Sequence, residues 1–186
     1  GYIIKVDKHD GEQVDGFEGK NVFYQYHYPR PVDIKPEQKT YIKNFITRFE
    51  SRMNSDNFDS PGIGYSNYID IDSAVDFFII NEVTRNIDGY RLSSFMWKDR
   101  DSKGGKLILG PVWDFNLAFG NGDYYDGWKT DGWNLEHLIE RTGNDFSPPF
   151  WWEKLRETDE FKSKLYTRWT TLRSSVLQAN ILTSYV

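Results

Sequence analysis

A chain of 186 residues with 17% Phe, Tyr and Trp has the length and apolar bulk of one folded domain, and it is too rich in aromatics to be largely disordered. A formal net charge of −5 argues against a nucleic-acid binder that works by neutralising phosphates. The absence of cysteine excludes disulfide scaffolds, thiolate zinc sites and cysteine nucleophiles, and no apolar run approaches the roughly 20 residues of a membrane span.

The sequence opens at Gly1 inside an apolar run, Tyr2-Ile3-Ile4-Lys5-Val6, and reads as a piece of a longer protein with any export signal outside it. Residues 1–7 and 22–28 read as strands, joined by a charged, Gly-containing loop from His9 to Lys20. Pro29, Pro31 and Pro36 mark an extended connection, and Pro36 suits the first turn of a helix, where its missing N–H costs nothing. Tyr41, Ile42, Phe45, Ile46, Phe49 and Met53 then form one apolar stripe, which predicts a helix to about Met53. After a loop over 54–68, a second helix is predicted to start near Asp72 and Ser73, both suited to capping. Its Val75, Phe77, Phe78, Ile79, Ile80 and Val83 cover most of the circumference. A helix of that kind is buried nearly all round, so its polar residues Glu82 and Asn86 need partners. Residues 93–98 and Leu107-Ile108-Leu109 predict a hairpin, with Lys98, Arg100, Lys103 and Lys106 on a solvated turn. Residues 120–149 read as a long Gly-rich loop region. Phe161, Leu165, Trp169, Leu172 and Val176 predict a last amphipathic helix, capped by Thr158 or Asp159. The fold class is α+β: small antiparallel hairpins with three substantial helices.

The densest chemistry lies between Glu82 and Asn121. Asp88 follows the buried helix, which is read to residue 86, and Asp114 follows the hairpin. A hairpin returns the chain towards its start, so the two carboxylates can meet. Neighbouring carboxylates repel, and a divalent cation relieves the repulsion; hard oxygen ligands suit Mg²⁺, with phosphate oxygens completing the shell. The order Asp, hairpin, Asp parallels protein kinases, where one Asp accepts the substrate hydroxyl proton and the other binds Mg²⁺. The bland alternative is that Asp88 before Gly89 is a turn residue and Asp114 after Trp113 a cap. A second constellation, Tyr124, Tyr125, Trp128 and Trp133 among acidic residues, suits stacking on carbohydrate, or else a loop that anchors its aromatics in the core. His9, His27 and His137 are scattered, with no metal-ligand spacing.

Asn86-Ile87-Asp88-Gly89-Tyr90, the strand Ser94-Phe95-Met96-Trp97-Lys98 and the block Gly110-Pro111-Val112-Trp113-Asp114-Phe115-Asn116-Leu117-Ala118-Phe119-Gly120 resemble the core of the spore-coat CotH kinase family. The likeness covers most of residues 1–175. It implies an atypical protein-kinase-like fold, with residues 1–186 as a single domain that forms the catalytic-lobe portion and lacks most of the N-terminal lobe. It implies phosphoryl transfer from ATP, with Mg²⁺ or Mn²⁺, to Ser of a secreted or coat protein, and hence an extracellular or cell-surface location. By resemblance Asp88 matches the catalytic Asp and Asp114, helped by Asn116, the metal-binding one, with Glu82, Asn86 and Ser93 in support. The family commonly carries Asn five residues after the catalytic Asp, where this chain has Ser93, and commonly reads Trp-Asp-x-Asp, where this chain ends in Asn116. Fewer charged ligands weaken Mg²⁺-phosphate binding, which implies a weak kinase or a pseudokinase. No Gly-rich phosphate loop is visible, which implies low activity for the isolated chain. The rival reading is a non-catalytic extracellular module that binds carbohydrate through Tyr124, Tyr125, Trp128 and Trp133, or a structural surface component.

Overall fold

In the computed structural model, which describes residues 1–9, 14–143 and 146–185, the first strand in sequence lies in the middle of the sheet. The strands are β1 (Tyr2–Val6), β2 (Gly16–Glu18), β3 (Phe23–Tyr28), β4 (Ser94–Lys98) and β5 (Leu107–Leu109). They form one antiparallel sheet in the order β2-β3-β1-β4-β5. The expected separate hairpins are thus fused. Ile4 faces Tyr26 on one side and Met96 on the other, a pairing across about 90 residues that no local pattern reports. Strand β2 falls inside the expected loop; it forms because Phe17 packs on Tyr24 and Tyr26, at ring separations of 5.4 and 5.6 Å. Residues 10–13 of that loop lie outside the described residues.

Helix α1 (Pro36–Met53) has the predicted limits. Pro36 opens it, the Gln38 side chain accepts from the Lys35 amide, and Ile42, Phe45, Ile46, Phe49 and Met53 bury its apolar stripe. Helix α2 (Ile71–Thr84) starts earlier than expected, because Asp70 is the cap: its carboxylate accepts from the Ser73 amide at 2.8 Å. The expected long loop over 120–149 contains α3 (Asn134–Thr142), while residues 144–145 lie outside the described residues. Helix α4 (Trp151–Glu157) places Trp151 and Trp152 in the core, where Trp152 meets Tyr90 edge-on at 5.0 Å. Helix α5 (Asp159–Arg173) is capped by Thr158, but only Phe161 of its expected stripe is fully buried. Tyr166 and Trp169 stand exposed, and Val176 lies beyond the helix. A short α6 (Ala179–Leu182) follows. No described helix is long and apolar enough to cross a membrane.

One member of the expected solvated turn is not solvated. Lys98 is 1% exposed, and its ammonium lies over the Phe45 ring (4.7 Å) and donates to Tyr41 Oη (2.9 Å) and Asp101 Oδ1 (2.7 Å). Burial pulls its pKa down, but the bonds to Asp101 and Tyr41 outweigh burial and leave it above the usual lysine value.

Candidate functional site

Asp88 is presented by a turn, not by the helix. Helix α2 ends at Thr84 because Arg85 adopts a left-handed backbone (φ 46°), so Asn86 and Asp88, expected at the helix edge, lie beyond it. Three asparagines hold the turn. The Asn86 amide donates to Asn81 O (3.1 Å), its side chain to Asn81 Oδ1 (3.2 Å), and Asn134 Nδ2 donates to Asn86 O (2.9 Å). Asn86 Oδ1 then accepts from the Asp88 amide (3.3 Å). Gly89 is required here, since a Cβ would lie 2.3 Å from Asn81 Oδ1. Tyr90 (φ 68°) and Ser93 (φ 47°) are also left-handed. Each such residue is strained, by roughly 1 kcal/mol or more, and the surrounding bonds over-determine the conformation.

The Asp88 carboxylate is nearly buried and paired. Arg91 Nη2 donates to Asp88 Oδ1 at 3.1 Å, with side-chain exposures of 4% for Arg91 and 9% for Asp88. Arg91 also donates from Nε to Ile87 O (2.9 Å) and lies over the Tyr125 ring (4.8 Å). Burial pushes the Asp88 carboxyl above its usual range; Arg91 and Lys8 oppose this, while the charges of Asp114 and Asp7 add to it. Asp114 and Asp7 are thus among the charges that act on Asp88. Tyr124 belongs to the same neighbourhood: burial, then the Asp88 charge, raise its hydroxyl pKa.

Asp114 lies on the opposite end of the β4–β5 hairpin, exposed and in a left-handed backbone (φ 60°) that Asp tolerates. Ser93 Oγ donates to Asp114 Oδ2 at 3.1 Å, which ties the two ends of the hairpin together. Asn116 is exposed two residues on, and its main-chain oxygen accepts from Asn121. Asp7, at the end of β1, accepts from the amides of Ser93 (3.3 Å) and Lys8 (2.9 Å) and from Lys5 Nζ (2.7 Å). Sequence reasoning missed Asp7, Arg91, Asn81 and Asn134. Only Asn81, a polar residue within an apolar helix, carried a local signal.

Glu82 faces away from Asp88. Its carboxylate accepts from Tyr90 Oη (2.7 Å) and from the amides of Asn134 (2.6 Å) and Leu135 (3.0 Å), so it caps the N-terminus of α3. Burial raises its pKa against these bonds. The four aromatics of the carbohydrate reading do not share a platform. Tyr124 and Tyr125 adjoin Asp88 and Arg91, Trp128 lines a separate cavity, and Trp133 lines an apolar groove with Phe78 and α5. A flat sugar-binding surface needs them side by side.

For a divalent cation, the Asp114 carboxylate accepts, among the described residues, from the Ser93 hydroxyl alone, and the Asn116 side-chain carbonyl would be a second donor. Among the described residues no group of three or more His, Cys, Asp or Glu is close enough to form a protein cage. That set fits an ion held mainly by nucleotide phosphates, with one or two protein oxygens.

One antiparallel five-stranded sheet combined with helices defines an α+β protein. The chain belongs to the CotH kinase family: the family model described as CotH kinase protein matches residues 1–186. Such a family is associated in general with ATP, a divalent metal and a protein substrate, and its spore-coat character accords with a surface location. No curated protein and no solved structure matched the chain.

Proposed function

We propose that this chain is the catalytic-lobe portion of a CotH-type kinase, which transfers the γ-phosphoryl group of ATP to a protein hydroxyl. The observation that supports the reading is the bond from Ser93 Oγ to Asp114 Oδ2, together with the Asp114 charge acting on the buried Asp88 carboxyl. Arg91 holds Asp88 Oδ1, leaving Oδ2 for the incoming Ser hydroxyl. A carboxylate raised by burial is a better proton acceptor than a solvated one, and a positioned base of this kind contributes about 10²–10⁴-fold in rate. Asp114 and Asn116 would hold Mg²⁺ or Mn²⁺, which supplies charge neutralisation across the phosphates. With Ser93 and Asn116 at positions where relatives commonly carry stronger ligands, turnover is low. The test is calorimetry of Mg²⁺-ATP on the full-length protein, with phosphate transfer followed in parallel. Asp114→Ala is expected to abolish metal-dependent nucleotide binding. Asp88→Asn is expected to keep binding and lose transfer by about 10²-fold or more. Unchanged binding in Asp114→Ala would overturn the reading.

A further inference from the structure

A cavity of about 320 Å³ beside the C-terminal end of α2 is lined by Arg85, Phe119, Trp128, Lys129 and Thr130, none of which belongs to the Asp88–Asp114 site. Arg85 is the unusual member. It is 8% exposed, and no carboxylate among the described residues lies within ion-pair distance of it. Its Nε donates to Asp126 O (3.1 Å) and its Nη1 to Asp131 O (3.0 Å), while Nη2 is buried with no acceptor among the described residues. A desolvated guanidinium bonded only to carbonyl dipoles is poorly compensated, and an unmet charged donor is costly.

Two nearby carboxylates are spoken for. Asp126 Oδ2 takes Lys129 (3.2 Å) and Arg141 (3.0 Å), with His137 Nδ1 at 3.8 Å. Lys129, then Arg141, hold Asp126 below the usual carboxylate range. Glu82, which also reaches the cavity, is saturated by Tyr90 and the α3 amides. Counting the exposed Asp131, three cations (Arg85, Lys129 and Arg141) stand among three carboxylates, yet none of these carboxylates pairs with Arg85 among the described residues. Nε and Nη1 are engaged with the carbonyls of Asp126, Asp131 and Gly132, so Nη2 supplies the unused N–H groups, which match an oxyanion oxygen. Trp128 and Phe119 stand exposed at the rim, where they offer apolar faces to the body of a ligand. The volume lies at the small end of ligand sites.

We propose that this cavity is an anion site, which takes a carboxylate or phosphate monoester carried on a small, flat apolar body. Nη2 is sealed from solvent, so the oxyanion reaches it only when the 127–132 segment gives way; two of its six residues are glycine. The site is independent of the kinase reading, because none of Asp88, Asp114 and Asn116 lines the cavity.

The test is calorimetry and Trp fluorescence on the full-length protein with three probes: phenyl phosphate, benzoate and inorganic phosphate. Saturable binding of phenyl phosphate or benzoate is expected, and the tighter of the two identifies the headgroup. Inorganic phosphate binds more weakly, since it leaves Trp128 and Phe119 uncovered. Arg85→Lys keeps the charge and loses the fork, and weakens binding by about 10-fold or more. If that variant does not fold, Lys129→Gln and Trp128→Ala on the rim are each expected to weaken binding several-fold. Asp88→Asn and Asp114→Ala are expected to leave probe binding unchanged. No saturable binding of any probe up to ~10 mM, weaker than about −3 kcal/mol, would overturn the proposal. So would equal binding by wild type and the Arg85 or rim variants.

Discussion

Arg91→Met tests the central electrostatic claim about the site. It removes the guanidinium that pairs with Asp88 and keeps an apolar stem of similar length. Both side chains are more than nine-tenths buried, so the variant leaves a carboxylate in a poor solvent with no counter-charge. Breaking a buried pair from one side costs about 3–5 kcal/mol, a large part of the roughly 5–15 kcal/mol that holds a domain together. The bond to Ile87 O and the contact with the Tyr125 ring are lost as well. The pH dependence identifies the cause. Burial already puts the Asp88 carboxyl above its ordinary value in the fold, and Arg91 opposes that rise. Without Arg91 the folded value climbs further. A carboxyl whose folded pKa exceeds its unfolded one penalises the fold at high pH. The penalty is relieved as pH falls through the folded value towards the unfolded one. Urea unfolding, followed by Trp fluorescence, should therefore show a deficit of about 3–5 kcal/mol near pH 7 that narrows near pH 5. A double-mutant cycle with Asp88→Asn should give a coupling of about 1–3 kcal/mol. A deficit under about 1 kcal/mol, or one of equal size at both pH values, would refute the pairing.

Glu82→Ala removes three hydrogen bonds and the cap of α3, and is expected to cost about 2–4 kcal/mol. The loss is read from thermal unfolding, together with a change in Trp133 emission as the start of α3 frays; an unchanged melting curve would contradict the capping role. Ser93→Asn places at a left-handed position a residue that tolerates it better than Ser, so stability should hold or rise slightly. It also restores an amide oxygen beside Asp114. Metal-dependent nucleotide binding in the full-length protein should therefore tighten by several-fold, and weaker binding by calorimetry would count against Ser93 as a metal-side residue.

The strain around Asp88 shows how the site is built. Arg85, Tyr90 and Ser93 are left-handed within nine residues, and the chain holds them through Asn81, Asn86 and Asn134 and through the close contact at Gly89. The turn places Asp88 just beyond the end of α2, where Arg91 pairs with it.

What was legible in the sequence is what short-range physics controls. Pro36 and a stripe of apolar residues set the limits of α1, and turn residues marked the β4–β5 hairpin. The motif from Trp113 to Asn116 carried the family. The packed fold decided the rest. Strand β1 pairs with β4 across about 90 residues, so the order of the sheet depends on chain closure and not on any local preference. Helix α3 depends on a carboxylate delivered from α2, and the Gly-rich sequence around it gave no sign of that partner. Arg91, Arg85 and Lys98 look like surface charges in a list of residues. Burial turned one into the partner of Asp88, one into a cation with no carboxylate partner among the described residues and one into a bonded ammonium in the core, because solvation depends on which neighbours the fold brings near.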